Sequence, residues 1–318
     1  MRTPSLLHLH LLVLPVLTAV CVLLTQHTAR AQAAYVIQDS DSGQILESLN
    51  PNKKLQIASL TKIATAMVTL DWAVSHSADL AQLTTVPPSI RHLDAQGIGL
   101  RPGDRISLRD LLYAAIMQSD NASAETLATH VGRSLAEGSE LEPTVAFVSQ
   151  MNALARKLSM KNTRFLNAHG LDSTEFLKPH STAADMAKLA CYAMNNSAFR
   201  FYASQKNRRI AIVSASNGPS GYMLHNTNEL LGVDSIDGVK TGTTQRAGPC
   251  LIVSAARPPE SRKEGDEHFI TPRRLIVVVL NAEDRFPVAR KLLNQGWELH
   301  EAWVSAGRPA PQSSRLKL

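Results

Sequence analysis

The residue pair that could do covalent chemistry is a serine followed three positions later by a lysine, Ser59 and Lys62. Apolar residues recur at helical spacing after them, which predicts a helix that starts at Ser59 and ends near His76. Because positions i and i+3 share a helix face, the amine would lie one turn from the hydroxyl. A lysine can take the serine proton when burial or a neighbouring cation favours its neutral form. The alternative is a helix-capping serine beside a solvated lysine.

A second candidate is Ser119-Asp120-Asn121, in a turn between two predicted helices. A hydroxyl at Ser119 could relay protons, and the Asn121 amide could bind a substrate carbonyl. Taken alone, the tripeptide is also compatible with an ordinary turn and helix cap.

A third candidate is Lys240-Thr241-Gly242, followed by Thr243, in a predicted strand. Lys240 and Thr241 could bind a substrate carboxylate, and Gly242 would let a backbone approach closely. If this strand is an edge, its amides are available to an extended peptide. The alternative is a strand with a solvated lysine.

The remaining pattern predicts the elements that position these motifs. A hairpin is expected around residues 35–46, and residues 77–105 are expected to be irregular. Helices are predicted at about 107–116, 122–131 (closed by Gly132), 143–158 and 182–195, and again at 286–304. Strands are expected within 209–213, 247–256 and 274–280, with an exposed charged loop at 258–272. This order predicts an α/β protein in which both chain ends build one sheet and a helical lobe, residues 77–208, is inserted.

Composition and the N-terminus indicate an exported globular protein. Residues 6–24 are mostly apolar and small residues follow, which is typical of a signal peptide over residues 1–33. The apolar run is also close to the length of a membrane anchor, so cleavage and retention both stay open. The region 34–306 is expected to fold as one catalytic domain, and the polar tail 307–318 is expected to be disordered.

The net charge and the cysteine and histidine content indicate which binding partners and cofactors to expect. Removal of the signal segment takes away two arginines and lowers the formal net charge from +6 to +4. The remaining positive charge favours binding to anionic surfaces such as cell wall. Basic and aromatic residues are not interleaved, so no nucleic-acid partner is expected. Cysteine and histidine spacing predicts no metal site or other cofactor. The sequence leaves open whether Cys191 and Cys250 form a disulfide.

The three motifs together are specific, because Ser-x-x-Lys, Ser-x-Asn and Lys-Thr-Gly in this order belong to penicillin-binding proteins and class A β-lactamases. Over residues 34–303 the chain resembles the D-alanyl-D-alanine carboxypeptidases, the low-molecular-mass penicillin-binding proteins. Further shared landmarks are Gly43-Gln44-Ile45-Leu46, Leu100-Arg101-Pro102-Gly103-Asp104, His169-Gly170-Leu171, Asn226-Thr227-Asn228 and Asp237-Gly238. The family usually has a small residue in place of Asp120, and often histidine or phenylalanine in place of Thr243.

The resemblance implies a penicillin-binding transpeptidase or β-lactamase-like fold, with an antiparallel sheet flanked by helices. It implies that Ser59 is acylated by D-alanyl-D-alanine stem peptides of peptidoglycan, with Lys62 and Ser119 moving protons. Asn121, Lys240, Thr241, Gly242 and Thr243 would bind the substrate, and β-lactams would act as covalent inhibitors. It also implies a periplasmic or other cell-wall location, with a peripheral or signal-anchor membrane contact left open.

Three alternatives stay open from the sequence. Many family members continue into a second β-rich domain, whereas this sequence resembles the single-domain members, some of which are DD-endopeptidases that cleave cross-links. A class A β-lactamase needs a Glu-x-x-x-Asn loop, and neither Glu140 nor Glu142 has asparagine four residues later. A non-catalytic wall-binding or penicillin-sensing module on the same fold is the third alternative.

Overall fold

A computed structural model of the chain describes residues 33–93, 97–172, 178–264 and 267–308. The predicted signal peptide at 1–33 lies outside these ranges except for Ala33, and so does the predicted tail beyond residue 308. Over the ranges described, no helix is at once long enough and apolar enough to cross a lipid bilayer.

The described residues contain nine strands and seven α-helices. The strands are β1 (Ala34–Asp39), β2 (Ile45–Leu49), β3 (Leu83–Thr85), β4 (Arg105–Ser107), β5 (Asn207–Ser214), β6 (Gly218–His225), β7 (Ile236–Thr244), β8 (Gly248–Glu264) and β9 (Glu267–Leu280). The helices are α1 (Lys62–Ser75), α2 (Leu108–Met117), α3 (Asn121–Leu135), α4 (Pro143–Lys157), α5 (Ala183–Asn195), α6 (Ser197–Ala203) and α7 (Arg285–Ser305).

Both ends of the domain build the main sheet, as the sequence predicted. Five antiparallel strands follow the order β2-β1-β9-β8-β7, and Ala34 at the start of β1 pairs with Leu280 at the end of β9. A second sheet has the order β3-β4-β5-β6. In the main sheet β7 is an edge strand, so one side of it is available to another extended chain.

The main sheet is buried on both faces, which gives the domain two apolar layers. In β9, Ile276 and Val278 belong to the larger core around α1, whereas Val277 and Val279 belong to a smaller core with α7. This alternation follows from the two-residue period of a strand. Helix α1 is buried almost all round, with only Asp71, Val74 and Ser75 exposed. The larger core therefore fixes α1 and the turn that precedes it.

Two helix boundaries differ from the sequence prediction. Ser59 does not begin an α-helix; it lies in a short 3-10 turn, Ala58–Thr61, and α1 begins at Lys62. Gly132 does not close α3, which continues to Leu135. A Cβ on Gly132 would lie 1.9 Å from the Pro143 carbonyl oxygen, so this glycine allows α3 and α4 to pack closely.

The predicted irregular and loop regions also contain regular structure. Strand β3 lies within residues 77–105 and β4 begins at Arg105, so the predicted helical lobe also carries part of the second sheet. Strand β6 was missed, and the expected loop at 258–272 is instead the extension of β8 and β9 into a long hairpin. Their main-chain pairing explains why a charged sequence can be regular here. Cys191 and Cys250 are buried free thiols rather than a disulfide.

Candidate active site

The candidate nucleophile lies on a strained turn at the N-terminus of α1. Ala58 has a φ of 48°, in the left-handed region that non-glycine residues seldom adopt. Ser59 follows and is partly exposed, whereas Leu60 and Thr61 are buried. Because the turn is 3-10 rather than α-helical, the side chains at positions 59 and 62 nearly eclipse one another. The turn therefore presents the Ser59 hydroxyl at the surface directly above Lys62.

Lys62 is completely buried and its amine has three described oxygen neighbours. The distances from Nζ are 2.9 Å to Ser59 Oγ, 2.7 Å to Asn121 Oδ1 and 2.7 Å to the His169 carbonyl oxygen. The amide and carbonyl oxygens can only accept, so they take two N–H bonds of the lysine. The Ser59 hydroxyl can donate or accept. A neutral Lys62 can therefore direct its lone pair at the serine proton without any change in geometry.

The turn between α2 and α3 supplies Asn121 to this cluster. Ser119 adopts a φ of 65°, and Asp120 caps α3 by accepting a hydrogen bond from the Ser123 amide at 2.6 Å. The structure places the partly exposed Ser119 beside Asn121. Asn121 is bonded directly to the lysine, and Ser119 lies two residues before it in the same turn.

Strand β7 packs against the Ser59 turn and carries the third motif. A Cβ on Gly242 would lie 2.9 Å from the Ser59 nitrogen and 3.1 Å from the Leu60 nitrogen, so only glycine allows this approach. Lys240 is buried and donates to the Thr241 carbonyl oxygen at 2.9 Å. Burial, and secondarily the charges of Lys62 and Arg285, hold the pKa of Lys240 well below that of an ordinary lysine. The site therefore contains a second buried lysine whose charged form is disfavoured.

Hydroxyl groups and an arginine line β7 beyond Lys240. The Thr241 and Thr227 hydroxyl oxygens are 2.6 Å apart, and Thr227 also donates to the Met117 carbonyl oxygen at 3.2 Å. Arg285, the first residue of α7, donates to Thr243 Oγ1 at 2.8 Å and to the Gly242 carbonyl oxygen at 3.1 Å. Thr243 is exposed and Arg285 is partly buried. These donors could bind a carboxylate near the exposed edge of β7.

The segment 169–172, which follows α4, packs against the Ser59 turn. Gly170, with a φ of 81°, packs so tightly that a Cβ would lie 2.0 Å from the Ala58 carbonyl oxygen. Burial, with a smaller effect of the Lys62 charge, lowers the pKa of His169 to about 3, so this ring is neutral at physiological pH. Asp172 accepts from Thr244 Oγ1 at 2.8 Å and from the Arg246 amide at 3.2 Å. The segment thus joins the serine turn, Lys62 and the end of β7.

The structure brings together most of the residues that the sequence singled out. Ser59, Lys62 and Asn121 are in direct contact, and the strand from Lys240 to Thr243 packs beside them. Sequence reasoning gave no role to the His169 carbonyl, to Thr227 or to Arg285. His169 and Thr227 lie in two segments shared with the family, whereas Arg285 has no sequence signal except its place at a predicted helix start. Within the described ranges, no three metal-binding side chains are grouped.

The fold and the arrangement of the three motifs define a protein of the penicillin-binding transpeptidase and β-lactamase-like class. The sequence pattern of one family within that class, D-alanyl-D-alanine carboxypeptidase, matches residues 22–284. The chain therefore belongs to the D-alanyl-D-alanine carboxypeptidase family.

Curated relatives of two kinds are similar to the chain. The D-alanyl-D-alanine carboxypeptidase DacC of Escherichia coli is 33% identical over 279 residues, which cover 84% of this chain and 62% of DacC. A D-alanyl-D-alanine endopeptidase of Pseudomonas aeruginosa is 32% identical over 227 residues, which cover 70% of this chain and 66% of that protein. The match thus spans slightly less than two thirds of the length of either relative.

Solved structures share the fold over most of their length. A mutant DD-transpeptidase of Streptomyces has a TM-score of 0.69 at 26% identity, covering 83% of this chain and 97% of that one. A penicillin-binding protein of Listeria monocytogenes in a cefotaxime-bound form has a TM-score of 0.64 at 29% identity, with 83% and 96% covered. Penicillin-binding protein 6B of Escherichia coli has a TM-score of 0.64 at 32% identity, with 82% and 75% covered.

Proposed function

We propose that this protein is a serine-type D-alanyl-D-alanine carboxypeptidase that acts on peptidoglycan stem peptides through an acyl-enzyme on Ser59. The observation that carries the proposal is the 2.9 Å contact between Ser59 Oγ and the buried Lys62 amine, whose other two described contacts are to oxygens that only accept. A base in this position activates a hydroxyl without the help of a histidine.

In the acylation step Lys62, in its neutral form, takes the Ser59 proton while Ser59 Oγ attacks the carbonyl carbon between the two D-alanines. By resemblance to the family, the backbone N–H groups of Ser59 and Thr243 stabilise the negatively charged oxygen that forms on the substrate carbonyl. The cation at Lys240 favours the neutral form of Lys62 through charge repulsion. Gly242 keeps the strand close enough for the two amides to converge on one oxygen.

Expulsion of the terminal D-alanine requires a proton on its nitrogen. Lys62 now carries one, and the Ser119 hydroxyl, on the adjacent turn, passes a proton to the leaving amine. Asn121 orients the substrate amide, while Lys240, Thr241, Thr227 and Arg285 bind the terminal carboxylate. Water then attacks the ester on Ser59, with Lys62 as base, and releases the shortened stem peptide. A β-lactam forms the same ester and is released slowly, so it would inhibit the enzyme.

The proposed cellular setting follows from the sequence and the relatives. Residues 1–33 would direct export as a signal peptide, cleaved or retained as an anchor, and residues 34–306 would form the catalytic domain in the periplasm or another cell-wall space, followed by a disordered tail, 307–318. The basic character of the chain suits the anionic cell wall.

A second candidate activity is DD-endopeptidase cleavage of peptidoglycan cross-links. Relatives that are 32% and 30% identical carry that name, and the motifs are common to both activities. A β-lactamase is disfavoured because the Glu-x-x-x-Asn pattern is not found at Glu140 or Glu142. A non-catalytic sensing module is disfavoured by the contacts among Ser59, Lys62 and Asn121.

The decisive assay measures D-alanine release from a stem pentapeptide, in parallel with mass spectrometry of products from a cross-linked dimer. The wild-type protein should release D-alanine, and Ser59→Ala should lose the activity while keeping the wild-type melting temperature. Cleavage of the dimer alone would favour the endopeptidase, and rapid turnover of a chromogenic cephalosporin would favour the β-lactamase. Activity retained by Ser59→Ala would refute the assignment of the nucleophile.

A further inference from the structure

Asp120 lies between Ser119 and Asn121 and has no part in the proposed mechanism. It is almost completely buried, and each oxygen of its carboxylate accepts a backbone N–H from a different segment. Oδ1 accepts from Ser123, in the first turn of α3, at 2.6 Å, and Oδ2 accepts from Ile98 at 3.1 Å. The carboxylate thus does more than cap the helix, because it also joins α3 to the segment Gly97–Gly99.

The packing around Gly97 is matched to this carboxylate. A Cβ on Gly97 would lie 2.0 Å from Asp120 Oδ2, a distance no real contact tolerates. Ile98, which follows, is buried in the larger core. The Asp120 carboxylate therefore occupies the space that a side chain at position 97 would need, and the contact requires glycine there.

In the sequence, Asp120 lies between two residues of the candidate site. Ser119, immediately before it, is held in the left-handed conformation, and Asn121, immediately after it, places Oδ1 2.7 Å from Lys62 Nζ. With both carboxylate oxygens tied, the Asp120 backbone cannot rotate without breaking a charge-assisted hydrogen bond. A small residue in this place would keep the turn but lose the connection to Gly97–Gly99.

We propose that Asp120 is a positioning residue, which anchors the Ser119–Asn121 turn to the Gly97–Gly99 segment and thereby keeps the Asn121 amide oxygen on Lys62 during acylation. This role rests on the proposed function of Ser59 and Lys62. It assigns no contact with the substrate to Asp120, so loss of Asp120 should slow acylation more than it weakens binding.

The first test compares variants by the second-order rate constant for labelling with a fluorescent penicillin. Asp120→Asn and Asp120→Ser both keep an acceptor for the Ser123 amide but lose the bond from Ile98, so both should label about tenfold more slowly, since a lost bond to a buried charge has roughly that effect. Each variant leaves the buried Ile98 N–H without its acceptor and should melt below the wild type, so the rates are compared at a temperature where all the proteins are folded. If Asp120 only caps the helix, both variants will label at the wild-type rate, and the proposal is overturned.

Asp104 offers a matched control. It is equally buried, and its two oxygens accept from the backbone amides of Arg101 at 2.8 Å and Ala215 at 3.0 Å, so it also joins two segments. It has no described contact with Ser59, Lys62 or Asn121. Asp104→Asn should therefore lose stability but label at the wild-type rate in conditions where it is folded. Equal slowing by Asp104→Asn would show a general effect of loosened packing and would refute the specific role.

A thermal double-mutant cycle tests the contact without use of activity. Gly97→Ala should lower the melting temperature strongly in the wild-type background and much less in an Asp120→Gly background, because the clash disappears with the carboxylate. Additive effects would refute the contact. If the wild-type protein is not labelled by the penicillin at all, the proposed function is refuted instead. Failure of the Asp120 proposal and failure of the proposed function are therefore distinguishable.

Discussion

Two buried lysines, Lys62 and Lys240, lie within this site. The described neighbours of the Lys62 amine are the Ser59 hydroxyl, the Asn121 side-chain oxygen and the His169 carbonyl oxygen, a setting that suits a base. Lys240 lies in the neighbouring strand, and burial holds its pKa well below the ordinary value. A buried cation of this kind reduces the stability of the folded chain, and such a cost is typical of residues kept for function.

Replacement of Lys240 should therefore separate stability from function. Lys240→Met removes the buried cation and keeps most of the side-chain volume, so it should raise the melting temperature at pH 7 while it abolishes D-alanine release. Because the native pKa is lower than the unfolded one, the unfolded chain binds more protons, and the penalty falls as pH rises towards 10.5. The difference in melting temperature should thus shrink at alkaline pH. Calorimetry from pH 7 to 10 measures this, and a less stable Lys240→Met at pH 7 would contradict it.

At the residue scale, the sequence anticipated contacts among side chains but not contacts with backbone groups. The proximity of Ser59, Lys62 and Asn121 could be expected because their types and spacing form a specific pattern. The His169 carbonyl, which completes the surroundings of Lys62, could not, because every residue has a carbonyl and only the fold selects one. Arg285 was missed for a related reason, since its distance from Thr243 depends on how α7 packs on the sheet.

At the scale of elements, periodicity predicted the long helices and the central strands. Helices α2, α4, α5 and α7 were found because each has an apolar face and recognisable end signals. Strands β3 and β4 have three residues each, too few to show an alternating pattern, and β6 contains two glycines and a proline. Glycine commonly marks a helix end, which favours a helix ending at Gly132, but in the structure this glycine allows α3 and α4 to pack closely.

Two glycine substitutions distinguish elements that position the site from elements that only stabilise the fold. Gly242→Ala pushes β7 away from the Ser59 turn, so we expect penicillin labelling to slow by about a hundredfold, the typical cost of one oxyanion donor. Gly132→Ala pushes α3 against Pro143, so it should lower the melting temperature without slowing the labelling of folded protein.

Both variants are measured by labelling rate and by thermal unfolding, each well below its own melting temperature. The account is contradicted if Gly242→Ala labels like the wild type, because β7 would then not control the geometry at Ser59. It is also contradicted if Gly132→Ala slows labelling as strongly as Gly242→Ala does, because the packing of α3 against α4 would then also control the geometry at Ser59.

At the scale of the whole molecule, the site is assembled from segments far apart in the chain. Residues near 59, 121, 169 and 240 meet because one sheet joins both ends of the domain and α1 is buried against it. The sequence predicted this sheet, since β-rich segments lie at both ends and helices lie between them. It did not predict the long β8–β9 hairpin, because a charged segment resembles a loop when its pairing partner is unknown.

The most direct measurement of the central claim is the location of the covalent adduct. The protein is labelled with a penicillin, denatured, digested with trypsin and analysed by mass spectrometry. We predict one adduct per chain, on the peptide 55–62 that contains Ser59, and its loss in Ser59→Ala. An adduct on the peptide 110–133 that contains Ser119, or no adduct on a folded protein, would contradict the account.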